Sequence, residues 1–155
     1  MSIISFWTED TKETGQTSVA IAVATQMAIQ HNKKILLIST YANNKEFDAA
    51  FWKPQVDRKN LLSFLNLNKK VVGLESGVEG LMKIEGTNKL TPNLITDYTG
   101  IIFKDRLEIL SGYNGVPTTA INDFYVSLIK KATMAYDIVI VDLPKGINQL
   151  AQDIL

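Results

Sequence analysis

Hydrophobic positions along the chain fall into two rhythms. Short apolar runs read as strands: Ile3 to Trp7 as a short buried strand, Lys34 to Ser39 (KILLIS) as a parallel strand covered on both faces, and Asp137 to Asp142 (DIVIVD) as the most strand-like segment of the chain. Gln16 to His31 and the stretch from Thr118 or Thr119 to Ala135 instead read as helices. The second of these carries Ile121, Phe124, Tyr125, Leu128, Ile129 and Ala132 on one stripe. Thr91-Pro92 predicts a cap and first turn for a helix over Pro92 to Tyr98. Glu46 to Trp52 predicts a short helix whose Phe47, Phe51 and Trp52 fall at helical spacing in the core. Ile101 to Leu110 alternates around Lys104-Asp105-Arg106 like a hairpin, whose second half, Leu107 to Leu110, joins the main sheet. Weaker patterns suggest helices at Leu61 to Leu67 and Val78 to Ile84, a loop at Gly112 to Pro117, and the start of another helix in Asn148 to Leu155.

Strands alternating with helices in this way predict a three-layer α/β fold with a mainly parallel sheet. At 155 residues and 46% apolar, one domain spanning 1–155 is expected. A domain of this class ordinarily adds further strands, so 1–155 reads as its N-terminal part or as a shortened form. The formal charge is zero, and nothing global steers the chain toward nucleic acid or an anionic membrane. The absence of cysteine excludes disulfides and thiolate metal sites, and the start of the chain shows no secretory signal. A cytoplasmic protein is expected. The longest apolar stretch, Val19 to Ala24, is too short to span a bilayer and reads as a buried helix.

The turn between the first strand and first helix has the layout of a phosphate-binding loop. In such a loop, backbone N–H groups and a helix N-terminus surround a phosphate, a lysine neutralises it, and a Ser or Thr hydroxyl helps hold Mg2+. Lys12, Glu13, Thr14, Gly15, Gln16, Thr17 and Ser18 are the candidate nucleotide-binding residues, with Gly15, Thr17 and Ser18 at the right offsets. Against GxxxxGK[S/T], Asp10 replaces the first glycine and Gln16 replaces the lysine. Glu9, Asp10 and Glu13 face a single Lys12, so the turn is net acidic where it should attract an anion. Repulsion between unit charges ~4 Å apart is roughly 4 kcal/mol at the effective dielectric of a protein surface. The plain alternative is a strand-to-helix turn with Thr17 and Ser18 as caps.

The second constellation is Asp142-Leu143-Pro144-Lys145-Gly146, directly after an apolar strand. An aspartate there can reach the shell of a Mg2+ ion shared with Thr17, and Asp142, Pro144 and Gly146 form a candidate switch. The plain alternative is that Asp142 and Pro144 end a strand. His31 reads as a helix C-terminal or surface residue, and Lys130-Lys131 as solvated. Phe6-Trp7 and Tyr113 are as readily packing residues as stacking surfaces for a base. No hydrolase triad or histidine cluster is present.

These residues resemble the ParA/MinD family of deviant Walker ATPases, and within it the TadZ/CpaE-like branch of pilus assembly and conjugation. The likeness runs through the first strand, DTKETGQTS, KILLIS, LEILSG and YDIVIVDLPKG. The family loop reads KGGxGK[S/T][S/T]; aligned on Gly15, Thr11 stands at the early signature lysine and Lys12 one place later. After the second strand, where family members carry aspartates, this chain has Ser39, Thr40 and Tyr41. The resemblance implies a degenerate ATPase with weak or absent hydrolysis, acting as a localisation or assembly factor for a pilus, secretion or conjugation machine. Its implied partners are proteins of that apparatus. A homodimer, recruitment to a membrane-bound machine, and a cofactor of ATP with Mg2+ or none at all stay open. So do two alternatives: an active ATP switch using a non-standard loop, and a protein-interaction scaffold without nucleotide, which a pocket filled by Glu13 or Gln16 would favour.

Overall fold

Strands β1 (Ser2–Phe6), β2 (Ile35–Ser39), β3 (Gly100–Phe103), β4 (Leu107–Leu110) and β5 (Ile138–Asp142) form one sheet in the order β1-β5-β2-β4-β3. The first four in that order run parallel, and β3 closes the far edge antiparallel to β4. The computed structural model describes residues 2–12, 14–41, 45–51, 77–87, 89–116 and 118–155. The helix expected at Leu61 to Leu67, and the packing of Trp52, lie outside them.

Alternation along the central strands sorts the core into two layers. Leu36 and Ile38 of β2 and Val139 and Val141 of β5 face one side, covered by α3 (Val78–Glu85), α4 (Pro92–Asp97), α5 (Thr119–Ala132) and α6 (Gln149–Ile154). Ile35, Leu37 and Ile140 face the other, against α1 (Gln16–Gln30) and Phe47 of α2 (Lys45–Phe51). The architecture is therefore the three-layer α/β fold with a mostly parallel sheet that the pattern predicts. Phe47 is fully buried and meets Phe51 edge-on at 5.5 Å between ring centroids.

Three expectations need correction. Val19 to Ala24 is not buried throughout: α1 meets the sheet through Ala20, Ala24 and Ala28, small residues at i, i+4 spacing that permit close approach, while Val19 is 51% exposed. Helix α5 stops at Ala132 rather than Ala135, because the chain turns there to carry Tyr136 into the core. Thr91 precedes α4 in extended conformation but makes no side-chain cap bond, leaving Pro92 at the first turn as the start signal. Thr118 does cap α5 and Asn148 caps α6, each accepting from the backbone N–H three residues on.

A polar cluster lies within the first of these layers, on the side of the sheet that α5 covers. Buried Glu108 of β4 accepts hydrogen bonds from Tyr136 Oη and from Thr99 Oγ1 (2.7 Å), and pairs with Lys34 Nζ at 3.3 Å. Burial raises the phenol pKa of Tyr136, and the Glu108 carboxylate raises it further; burial likewise raises that of Tyr125. An unfolded tyrosine loses its proton near pH ~10. Above that pH the unfolded chain binds fewer protons than the folded one, so stability falls as pH rises. In denaturation series the midpoint is expected to hold up to pH ~10 and fall beyond it. Tyr136→Phe should flatten that fall while costing about 1 kcal/mol at neutral pH.

Candidate functional site

The carboxyl ends of β1, β2 and β5 meet the amino end of α1, and the meeting point is Gln16. Gly15 holds the N-cap position with φ 72°, a left-handed conformation that suits glycine, and no side chain caps the helix. Thr17 and Ser18 are therefore not caps. Instead Thr17 Oγ1 donates to Asp142 Oδ2 at 2.8 Å, and Ser18 is exposed.

Gln16 is turned inward. Its Nε2 lies 2.8 Å from Asp142 Oδ1, 2.8 Å from the Leu143 carbonyl, 3.0 Å from the Phe6 carbonyl and 3.3 Å from Tyr41 Oη. An amide nitrogen has two protons for these four oxygens, while Gln16 Oε1 is buried without a partner. A cage of this kind matches an ammonium, with three N–H bonds and a charge, better than it matches a neutral amide. Asp142 is fully buried, with both carboxylate oxygens accepting from α1.

The loop after β5 is fastened to the turn after β1. Gly146 N donates to the Thr8 carbonyl, and the Gly146 carbonyl accepts from Trp7 Nε1 and Asn148 Nδ2, each at 2.9 Å. Asn148 Nδ2 also reaches the Pro144 carbonyl at 3.0 Å. Trp7 is thus a bracing residue rather than a stacking surface. Thr40 joins β2 to the same point, donating through both its N–H and its hydroxyl to the Asp142 carbonyl.

Of the residues singled out from sequence, the fold gathers Gln16, Thr17 and Asp142 into one buried knot, with Pro144 and Gly146 beside it. Lys12, Thr14, Gly15 and Ser18 remain exposed around the turn, and Glu13 lies outside the described residues. Lys12 N–H is taken up locally by Asp10 Oδ1 at 2.9 Å. Sequence reasoning missed Tyr41 as a contact of Gln16, and Trp7 and Asn148 as braces. It also missed the two backbone carbonyls, which leave no mark in a sequence; Asn148 could have been read as the cap of the last helix.

No family model and no curated protein matches the sequence. Among solved structures, a ParA family ATPase from Chlorobium tepidum TLS superposes with a TM-score of 0.68 at 13% identity, covering 98% of this chain and 55% of that one. The fold is that of the ParA-family ATPases. A plasmid partition protein from Borrelia burgdorferi is also similar, with a TM-score of 0.56 at 15% identity over 91% of this chain and 54% of its own. The chain thus spans about half the length of either structure.

The ParA-like fold implies a nucleotide and Mg2+, and the residues present fit them unequally. Thr17 Oγ1 and the Asp142 carboxylate are hard oxygen donors suited to Mg2+. The phosphate half does not fit: the lysine position holds a neutral side chain directed into the sheet ends, and Asp10 consumes an N–H of the turn. Among the described residues no helix is long and apolar enough to cross a membrane.

Proposed function

We propose that this chain is a degenerate ParA/MinD-like domain that works as a localisation or assembly factor, through protein contacts rather than nucleotide turnover. The observation that carries the proposal is the inward Gln16 tether to Asp142 and the Phe6 and Leu143 carbonyls. It holds the helix start, the β1 end and the β5 end in one arrangement, and it supplies no charge for a phosphate. Phosphoryl transfer depends on cationic stabilisation of the transferring group, and Gln16, at the position where the loop motif carries lysine, supplies no charge. Resemblance in the two motifs points to a pilus, secretion or conjugation apparatus as the setting, with a cytoplasmic location and recruitment to that machine.

Isothermal titration with ATP and ADP, each with Mg2+, beside Gln16→Lys tests the reading. The native chain is expected to show no binding at concentrations where Gln16→Lys binds, since the ammonium restores what the cage and the phosphate site both lack. Micromolar binding by the native chain would overturn it in favour of an active switch with a non-standard loop. Failure of both proteins to bind would place the defect in the acidic turn as well as at Gln16.

A further inference from the structure

The chain from Leu143 to Gly146 is tied at both ends to the chain that continues β1. Parallel pairing of β1 with β5 reaches Phe6 and Asp142, and Leu143 N–H extends it by donating to the Phe6 carbonyl at 3.0 Å. Gly146 N–H then donates to the Thr8 carbonyl at 2.9 Å, so the residues between form a short bulge closed back onto the turn after β1.

Inside the bulge the backbone groups are also engaged. The Leu143 carbonyl accepts from Gln16 Nε2 at 2.8 Å, the Pro144 carbonyl from Asn148 Nδ2 at 3.0 Å, and the Gly146 carbonyl from both Trp7 Nε1 and Asn148 Nδ2 at 2.9 Å. Pro144 has no N–H to satisfy, and its φ is fixed. Gly146, with φ 79°, is the residue whose backbone would otherwise be freest. It is nevertheless buried and bonded through both its N–H and its carbonyl, and a Cβ on it would come within 3.2 Å of Thr11 Cγ2. The turn that receives it is bonded in its own right: Thr8 Oγ1 accepts from Asp10 N–H at 3.2 Å, and Asp10 Oδ1 from Lys12 N–H at 2.9 Å.

In a nucleotide switch the loop takes its order from the ligand, through contacts made in the bound form and lost without it. Here the chain's own groups supply that order. We propose that Trp7 and Thr8 make the loop after β5 a fixed joint, whose conformation is the same with and without a nucleotide. A ligand shifts an equilibrium only as far as it favours one state over another, and backbone bonds already made in the free chain leave little for it to add. The fixed joint deepens the degenerate-switch reading and rests on it: a protein partner that recognises this end of the sheet meets one surface rather than two alternating ones.

Amide and indole hydrogen exchange, followed by heteronuclear NMR, is the test. In the free native protein the Gly146 amide and the Trp7 indole N–H are expected to exchange at least about a hundredfold more slowly than in an unfolded chain. Trp7→Phe keeps an aromatic ring and removes the indole donor, while Asn148→Ser keeps a helix-capping side chain and removes the amide donor. Each should speed exchange at Gly146 about fivefold and leave Ile140, inside β5, unchanged. When ATP and Mg2+ are added to Gln16→Lys, binding should register at Gly15 and Ser18, with exchange at Leu143, Gly146 and the Trp7 indole constant within about twofold. A larger change at Gly146 overturns the fixed joint and leaves the proposed loss of nucleotide binding standing. Binding by the native chain with Gly146 unchanged does the reverse. Should Gln16→Lys not bind, or the Trp7 and Asn148 variants fail to fold, the free native protein decides: exchange at Gly146 and the Trp7 indole near the rates of an unfolded chain overturns the proposal.

Discussion

Gly112→Ala is expected to destabilise the protein by at least about 3 kcal/mol, at or beyond the upper end of ordinary overpacking. A methyl group at this position would lie 1.9 Å from the Tyr41 carbonyl oxygen, 2.8 Å from its carbon and 3.1 Å from the Ser39 carbonyl oxygen. All three are backbone atoms, so no side-chain rotation relieves the overlap, and the segment after β2 or the one after β4 must move. For a chain of this size the loss corresponds to a fall of roughly 6–12 °C in melting temperature. The displacement would also draw Tyr41 Oη from Gln16. Gly86→Ala is the control: its φ of −57° suits any residue, and its nearest contacts, at 3.5 and 3.6 Å, are ordinary. It should be close to neutral. A melting temperature for Gly112→Ala within a degree or two of the native value would show that the two segments do not pack as described.

Gln16→Leu carries the second large effect, an expected loss of about 2–4 kcal/mol. Leucine is of similar size, so packing changes little, yet Asp142 Oδ1 and the Phe6 and Leu143 carbonyls would all lose the Nε2 donor. Removal of the unpartnered Oε1 offsets part of that cost. Gln16→Glu should be worse still, because it sets a second carboxylate against Asp142 in a buried place. Gln16→Lys should equal or exceed the native stability, since an ammonium meets the oxygen cage with one more proton and a charge. Chemical denaturation of the four proteins should therefore rank them Lys, Gln, Leu, Glu from most to least stable. A leucine variant as stable as the native chain would show that the tether contributes nothing.

The same contacts bear on how the protein works. In a phosphate-binding loop the helix start and the strand end after the second motif respond to a ligand held between them. Here Gln16 joins them directly, while the bonds of Trp7 Nε1 to the Gly146 carbonyl and of Gly146 N–H to the Thr8 carbonyl fasten the loop after β5 to the turn after β1. Two sets of bonds thus hold the start of α1, the end of β1 and the loop after β5 together.

Much of this architecture was legible in the residues. The runs KILLIS and DIVIVD became the central strands, and the α5 stripe from Ile121 to Ala132 is buried in full. The hairpin around Asp105 formed as the alternation predicts, with Leu107 to Leu110 joining β2. The errors lay where local pattern competes with tertiary geometry. Val19 is apolar yet faces outward because a line of alanines takes the sheet, and the end of α5 is set by the burial of Tyr136 rather than by propensity. The sequence reading also passed over Glu108, a charged residue within the apolar β4, which Tyr136, Thr99 and Lys34 satisfy.

The sequence by itself determined the order and kind of the elements and the neutral side chain at position 16, because hydrophobic period and residue type are local properties of the chain. Only the tertiary structure decided what Gln16 does instead. Asp142 and Leu143 stand more than a hundred residues away, and two of the four oxygens that surround its amide belong to the backbone, whose positions are set by the parallel pairing of β1 with β5.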